Sequence, residues 1–395
     1  MNVRAPNKSD DHPMTIAIPR VLWWFRLWPF WKTFFERLGY RVVTNDPARP
    51  TPTHHDRAST IVEEACFPIQ LLIDRTLAIA DQAEAIFMPR LISVSPQGIM
   101  CPRFSGVPDI VQMVLSRSGC QPVSNSPARA PESDLQIGRK QTGCQPVLLA
   151  PIIDARPGRW AVRDAHLAMA AKLGVPDSLA RPAFAEASMI QERFETDFEK
   201  GLNTLSMPDV FNLDQNTPHT TTQFKIQNRE SKIADSAIGS PRSLTGCQPV
   251  PHDPQSALPR IALLGHPYLA YDWEFNLNLV EKLRSLGMWI LPLESIPSKT
   301  TESFVKKLDK SIYWSSGREI MGAILSFFQN GGAHGVIYLS CFKCGVDGLL
   351  GDVVRWAARH QSKVVFLSLT LDGHDNEVGL MTRLEAFVDI VRHRV

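Results

Sequence analysis

The chain has 395 residues, 44% of them hydrophobic and 21% charged, with a formal net charge of +2. That length exceeds one ordinary core and predicts two domains, and the near-neutral balance speaks against a nucleic-acid or strongly anionic membrane partner. The opening MNVRAPNKSDDHP is polar and unlike a signal peptide, which predicts a cytoplasmic chain whose seven cysteines are reduced and available for metal or redox chemistry.

Thr15 to Ile18 reads as a short strand ending at Pro19-Arg20. The aromatic run VLWWFRLWPFW (Val21 to Trp31) is too short for a bilayer and is broken by Arg26 and Pro29, so core packing is the expected use. From Pro29 an amphipathic helix is predicted, closing on Gly39, followed by a strand from Tyr40 to Thr44. This strand–helix–strand rhythm is the signature of an α/β fold.

A Pro- and Thr-rich loop follows, then a predicted helix from about Ser59 that carries Glu63, Glu64 and Cys66. Glu84 to Met88 is the next strand, ended by Pro89-Arg90. Cys101 falls in a Pro/Gly-flanked loop before a helix expected at Pro108. Near Arg117 the composition changes. The word GCQPV occurs at 119–123, 143–147 and 246–250, among Ser, Pro, Arg and Gln without hydrophobic period. Irregular spacing excludes a solenoid; both stretches, about 118–147 and 205–257, read as disordered insertions. That reading sets Cys120, Cys144 and Cys247 aside.

Between the insertions, Leu148 to Asp154 looks like a strand, with helices over Trp160 to Leu173 and Pro182 to Gly201. After Pro259 the rhythm restarts: strand RIALLG, helix Trp273 to Leu286, strand MWILPL, helix Trp314 to Phe328, strand GVIYLS, helix Val346 to His360, strand KVVFLSL and helix Glu377 to Arg394. The expected architecture is α/β, with two Rossmann-like strand–helix domains around a cleft. The first spans 14–204 with its insertion, 205–257 is a disordered linker, and the second spans 258–395.

Four cysteines remain: Cys66 and Cys101 in the first domain, Cys341 and Cys344 in the second. Each sits in or beside a loop or helix start, where the helix dipole and free amides favour a thiolate. The split suits a site shared between domains. Four thiols can hold an iron–sulfur cluster or a structural zinc; zinc is the weaker reading, because Cys66 and Cys101 are far apart in sequence.

Other candidates lie at the carboxyl ends of strands, where open α/β sheets bind ligands. Arg20 and Arg90, in matching IPR and MPR settings, could turn cations toward a cofactor. His266 and Tyr268 follow the first strand of the second domain. Asp372, His374, Glu377 and Arg383 follow the last strand, and Glu377 or His266 could move protons. No GxxxxGK[ST] loop is present, and GGAHG (Gly331 to Gly335) precedes a strand instead of following one. The chain is therefore not expected to hydrolyse ATP by itself.

The segments IPRVLWWFRLWPFWKTFFERLGYRVV, EEACFPIQ, FMPRLISV, MCPRFSGVPDIV, GHPYLAYDWEFNLNLV, VIYLSCFKCGVDGLLGD and LTLDGHDNEVGLMTRLEAFVD together resemble activase-related proteins associated with acyl-CoA dehydratase activases. The resemblance covers 14–117, 148–204 and 258–395. That family is similar in turn to 2-hydroxyacyl-CoA dehydratase and benzoyl-CoA reductase subunits, which bind a 4Fe–4S cluster between α/β domains. It implies cluster ligands at Cys66, Cys101 and Cys344; Cys341 stands where a small residue is expected, and its role stays open. It also implies electrons from a separate, actin-like ATP-dependent activase and a CoA-type substrate. The alternative is a non-catalytic binding or scaffold protein holding structural zinc or no metal.

Overall fold

The computed structural model describes residues 13–46, 65–117, 146–205, 210–211, 258–362, 364–371 and 376–394. Nearly all of both expected insertions falls outside these residues, as do Glu63, Glu64, Asp372, His374 and the three GCQPV cysteines.

Two four-stranded parallel sheets carry the fold. The first uses β1 (Thr15–Ala17), β2 (Arg41–Val43), β3 (Ala85–Phe87) and β5 (Val147–Leu149), in the order β2-β1-β3-β5. The second uses β7 (Arg260–Leu264), β8 (Trp289–Pro292), β9 (Gly335–Cys341) and β10 (Val365–Leu371), in the order β8-β7-β9-β10. Counted within each half, the strand order is the same. The chain moves from its first strand to a neighbour on one side, then returns to the other side, creating a topological switch point at the carboxyl ends of β1/β3 and β7/β9. β1, β3 and β9 are buried along their whole length, as parallel strands covered on both faces must be.

After Pro89 and Pro151 the chain leaves the first sheet, because proline cannot donate to the ladder. A separate two-stranded piece forms there from β4 (Arg90–Ser93) and β6 (Ile152–Asp154), so the single strand expected over 148–154 is two. Just beyond it, Ile99 bridges to Trp314, with N–H···O contacts of 2.8 Å from Ile99 to Tyr313 and from Ser315 to Ile99. Gly98 makes this possible: its φ is +83°, and a Cβ there would lie 2.7 Å from the Tyr313 carbonyl oxygen.

The helices of the first half are α1 (Trp24–Arg37), α2 (Phe67–Ile79), α3 (Pro102–Arg117), α4 (Arg159–Lys172) and α5 (Asp177–Thr204). Those of the second are α6 (Pro267–Ala270), α7 (Leu279–Ser285), α8 (Ser298–Val305), α9 (Ser315–Asn330), α10 (Gly345–Gln361) and α11 (Glu377–Arg394). The aromatic run of α1 is core: Trp24, Phe25, Trp28, Phe30, Trp31, Phe34 and Phe35 are all buried. No helix among the described residues is long and apolar enough to cross a membrane. Helix starts differ from the expected ones wherever proline was read as a boundary. Pro29, Pro108 and Pro182 lie inside helices, while Pro68 and Pro102 stand in first turns, where a missing N–H costs nothing.

One hydrophobic core cluster contains residues of both halves. The long α5 packs on α1 and on β8, and the Asn203 amide pairs with the edge of β8, donating to the Ile290 carbonyl at 2.8 Å and accepting its N–H at 2.7 Å. A buried ion network joins the halves. Arg75 on α2 is fully buried and makes a two-pronged contact with Asp272 at 2.5 and 3.0 Å and one with Glu274 at 2.8 Å. It also donates to the Arg20 carbonyl, and Arg26 pairs with Glu319 at 2.8 and 3.0 Å.

Removing the Arg75 guanidinium would leave Asp272 charged and buried without its partner. Arg75→Ala should therefore cost about 3–5 kcal/mol in urea unfolding at pH 7; an unchanged midpoint would contradict this packing. A second stability effect concerns pH. His166 is 1% exposed and meets Phe30 and Phe34 edge-on. Its Nδ1–H donates to the Val162 carbonyl at 2.8 Å. Burial lowers its pKa to about 4, so the unfolded chain binds a proton at this site before the folded one does. Stability should fall as pH drops from about 6.5 toward 4, by about 2 kcal/mol between pH 7 and 5. In His166→Phe that share of the pH dependence should vanish from the unfolding curves.

Candidate metal centre

Three helices begin at one place, and each begins at a cysteine. Cys66 is the N-cap of α2, Cys101 immediately precedes α3, and Cys344 is the N-cap of α10. Cys66 therefore stands before the helix, not within one as the sequence suggested. Cys341 ends β9, and the turn to Cys344 closes with Cys344 N–H to Cys341 O at 3.1 Å. That turn holds Lys343 at φ +64°, an uncommon conformation for a side-chain-bearing residue.

The sulfurs of Cys66, Cys101 and Cys344 lie within electrostatic reach of one another, and that of Cys341 within reach of Cys66 and Cys344. Burial pushes the Cys66 thiol up, with Arg103 partly offsetting it and the Cys344 sulfur adding to it. Burial likewise raises Cys101, with contributions from Cys344 and Cys66. Cys341 is 4% exposed; burial, Cys66 and Cys344 raise it furthest, although the Phe67 N–H across the junction points at its sulfur. The helix starts favour negative charge here, yet without a cation burial wins and these three thiols stay protonated at neutral pH. A bound metal would reverse that balance.

A second group completes the site from the switch point of the second sheet. His266, Cys344 and Asp347 place their donor atoms within 4.8 Å of one another. His266 follows β7, and Gly265 lets the chain pass β9 closely: a Cβ there would be 2.9 Å from the Leu339 carbonyl. Asp347, buried in the first turn of α10, accepts the Cys341 N–H at 3.0 Å and the Tyr338 hydroxyl at 3.1 Å. Burial alone would raise the Asp347 pKa, but His266 and these donors hold it below the usual carboxylate range. For His266, burial would lower the pKa; Asp347 and then Cys344 outweigh it and lift it to about 10. Tyr268 stacks on His266 at 5.0 Å between ring centres and touches Phe104 of the first half at 6.0 Å.

At the matching switch point of the first sheet, Ile18, Pro19, Trp31, Phe87, Met88 and Phe104 line a small apolar pocket.

Three expected site residues point elsewhere. Arg20 lies in the inter-half network, 3.7 Å from Glu274 and over the Trp273 ring, with its pKa lowered to about 10 by burial and by Arg75. Arg90 grips Asp109 with two bonds of 2.7 and 2.8 Å. Glu377 is exposed and pairs with Lys282 at 2.6 Å. The cation that bears on the Cys66 and Cys101 thiols is Arg103. Asp347, Tyr338 and Arg103 were not singled out from the sequence. For Asp347 a signal existed, since an acid three residues after a helix N-cap is a familiar capping position.

Residues 15–296 match the family model described as a CoA enzyme activase uncharacterised domain. The chain belongs to this family. No curated protein matches it. The part matched to the CoA enzyme activase domain holds Cys66, Cys101 and His266, whereas Cys341, Cys344 and Asp347 lie beyond it.

Because the thiolate is the reactive form, the raised Cys341 thiol should resist alkylation. In metal-free protein at pH 8, iodoacetamide should modify Cys341 at least about tenfold more slowly than in urea. Peptide mass spectrometry measures both rates, and equal rates would mean an open, ionised thiol.

Proposed function

We propose that this chain holds an iron–sulfur cluster of the 4Fe–4S type at the junction of its two halves and serves as a redox component of a CoA-linked system. Cys66, Cys101 and Cys344 would be its ligands, with Cys341 the fourth thiol at hand. The observation that carries the reading is the convergence of cysteines from both halves on helix starts, where amide N–H groups and helix dipoles favour an anionic centre. Membership in the CoA enzyme activase domain family supports association with a separate ATP-dependent activase as electron donor, and with a CoA-type substrate. When bound, such a cluster supplies reversible one-electron storage, plus a Lewis-acidic iron if one position lacks a thiolate.

The chain's own residues prepare that centre. Phe67 N–H and the Arg103 side chain are directed at the Cys341 and Cys66 sulfurs, which would lower the cost of their ionisation. Tyr268 and Phe104 cover one side and limit water. The arginines at 20 and 90 play no part in this reading.

A second reading rests on the tighter group. His266 Nε2 and Asp347 Oδ1 are 3.3 Å apart, close to the roughly 3.4 Å that two ligands of a tetrahedral zinc adopt. One zinc held by His266, Cys344 and Asp347 would make the site structural or hydrolytic. Anaerobic purification separates the two. About four iron and four sulfide per chain, with a brown colour lost in Cys66→Ser, Cys101→Ser and Cys344→Ser, is the expected result. A colourless protein with about one zinc and no sulfide would favour the second reading and overturn the first.

A further inference from the structure

His266 has a ring nitrogen without a settled partner. The residue is 3% exposed, yet Nε2 makes no well-formed hydrogen bond among the described residues. It lies 3.3 Å from Asp347 Oδ1, and a ring nitrogen of His266 lies within 4.8 Å of the Cys344 sulfur. A buried N–H with only long contacts leaves donor capacity in hand, and such a group, held by stacking on Tyr268 and by the tight passage at Gly265, suits a stronger acceptor. Asp347 Oδ1, which also takes the Tyr338 hydroxyl, sits 3.3 Å away and gives this hydrogen only a long contact, so a second acceptor can share it. The carboxylate favours a hydrogen on Nε2, so the ring faces the sulfur as a donor and not as a lone pair. A neutral thiol is a poor acceptor, whereas a metal-bound thiolate is a good one.

We infer that His266 is a positioning residue of the cluster, donating its Nε2–H to the Cys344 sulfur once that sulfur is iron-bound, with Asp347 fixing the ring. This rests on the iron–sulfur reading given above. It makes Cys344 unlike the other thiols: its bond to iron is oriented by an imidazole donor from the opposite side of the same switch point. The consequence is a higher reduction potential. One electron from a low-potential donor adds one negative charge to the centre, with no bond made or broken, and an N–H dipole aimed at a ligand sulfur stabilises that added charge.

The test uses anaerobically purified full-length wild type, His266→Leu and His266→Gln. Iron and sulfide are assayed, and the midpoint potential is read by dye-mediated titration with titanium(III) citrate, followed by visible absorbance and electron paramagnetic resonance. Both variants should keep wild-type iron and sulfide. At the wild-type midpoint poise, the reduced-to-oxidised ratio of His266→Leu should fall about tenfold, equal to about 59 mV for one electron. His266→Gln, which retains an N–H donor, should recover part of that shift. Unchanged potential in His266→Leu overturns the inference, and so does loss of iron in both variants, which would make His266 a direct ligand. If His266→Leu does not fold, wild type labelled with ¹⁵N-histidine decides. Weak nitrogen coupling to the reduced centre supports a donor across sulfur, and strong coupling of a bonded nitrogen overturns it. Wild type without iron and sulfide would instead sink the iron–sulfur reading itself.

Discussion

The contact between Arg75 and Asp272 is the constraint on which the site depends. Arg75 lies on the helix that Cys66 begins, and Asp272 follows the short helix that His266 begins. A buried ion pair adds little net stability, since desolvation offsets most of its attraction. What it supplies is position: two carboxylates and two guanidiniums from opposite halves are all paired in one relative placement only. In that placement the starts of α2 and α10 face each other, and thiols far apart in sequence become neighbours. The Ile99–Trp314 bridge does the same for Cys101 from the other side.

The two sheets share a strand order but not a use. In the second, the switch point between β7 and β9 opens onto His266, Cys341, Cys344 and Asp347. In the first, the equivalent crevice is lined by apolar side chains, Trp23 just before α1, Trp31 within it and Phe87 among them. Its half contributes ligand candidates from the starts of α2 and α3 instead. One architecture thus provides a floor of polar donors in one half and an apolar wall in the other, with Tyr268 and Phe104 meeting across the seam.

The alternation of buried strands and amphipathic helices was legible in the sequence because each is a local pattern. Helices closing at Gly39, Gly174 and Gly287 have positive φ at those glycines, as the end signal requires. Proline misled in both directions, since its cost depends on whether it falls in a first turn, which sequence does not mark. The four cysteines could be isolated as candidates, but their meeting depends on contacts between segments hundreds of residues apart. The IPR and MPR settings of Arg20 and Arg90 suggested twin roles. Their partners are Glu274, from the other half, and Asp109, from the following helix, and neither choice is encoded near the arginine. The place of His266 beside Cys344 was equally hidden, because it arises from two strands becoming neighbours in a parallel sheet.

The single amide of Asn203 has a meaning beyond the packing of α5. β8 is the outer strand of the second sheet, and an outer strand offers free peptide groups to any extended chain that approaches. At Ile290 both groups are already answered, the carbonyl by the Asn203 NH₂ and the N–H by its oxygen. The side chain imitates the peptide of a missing neighbour, while the bulk of the helix covers the rest of the edge. The sheet is thereby terminated by a residue from the other half of the molecule. A chain in which the halves have not yet docked would expose β8 as a template for unwanted pairing, so correct docking and protection from aggregation are one event.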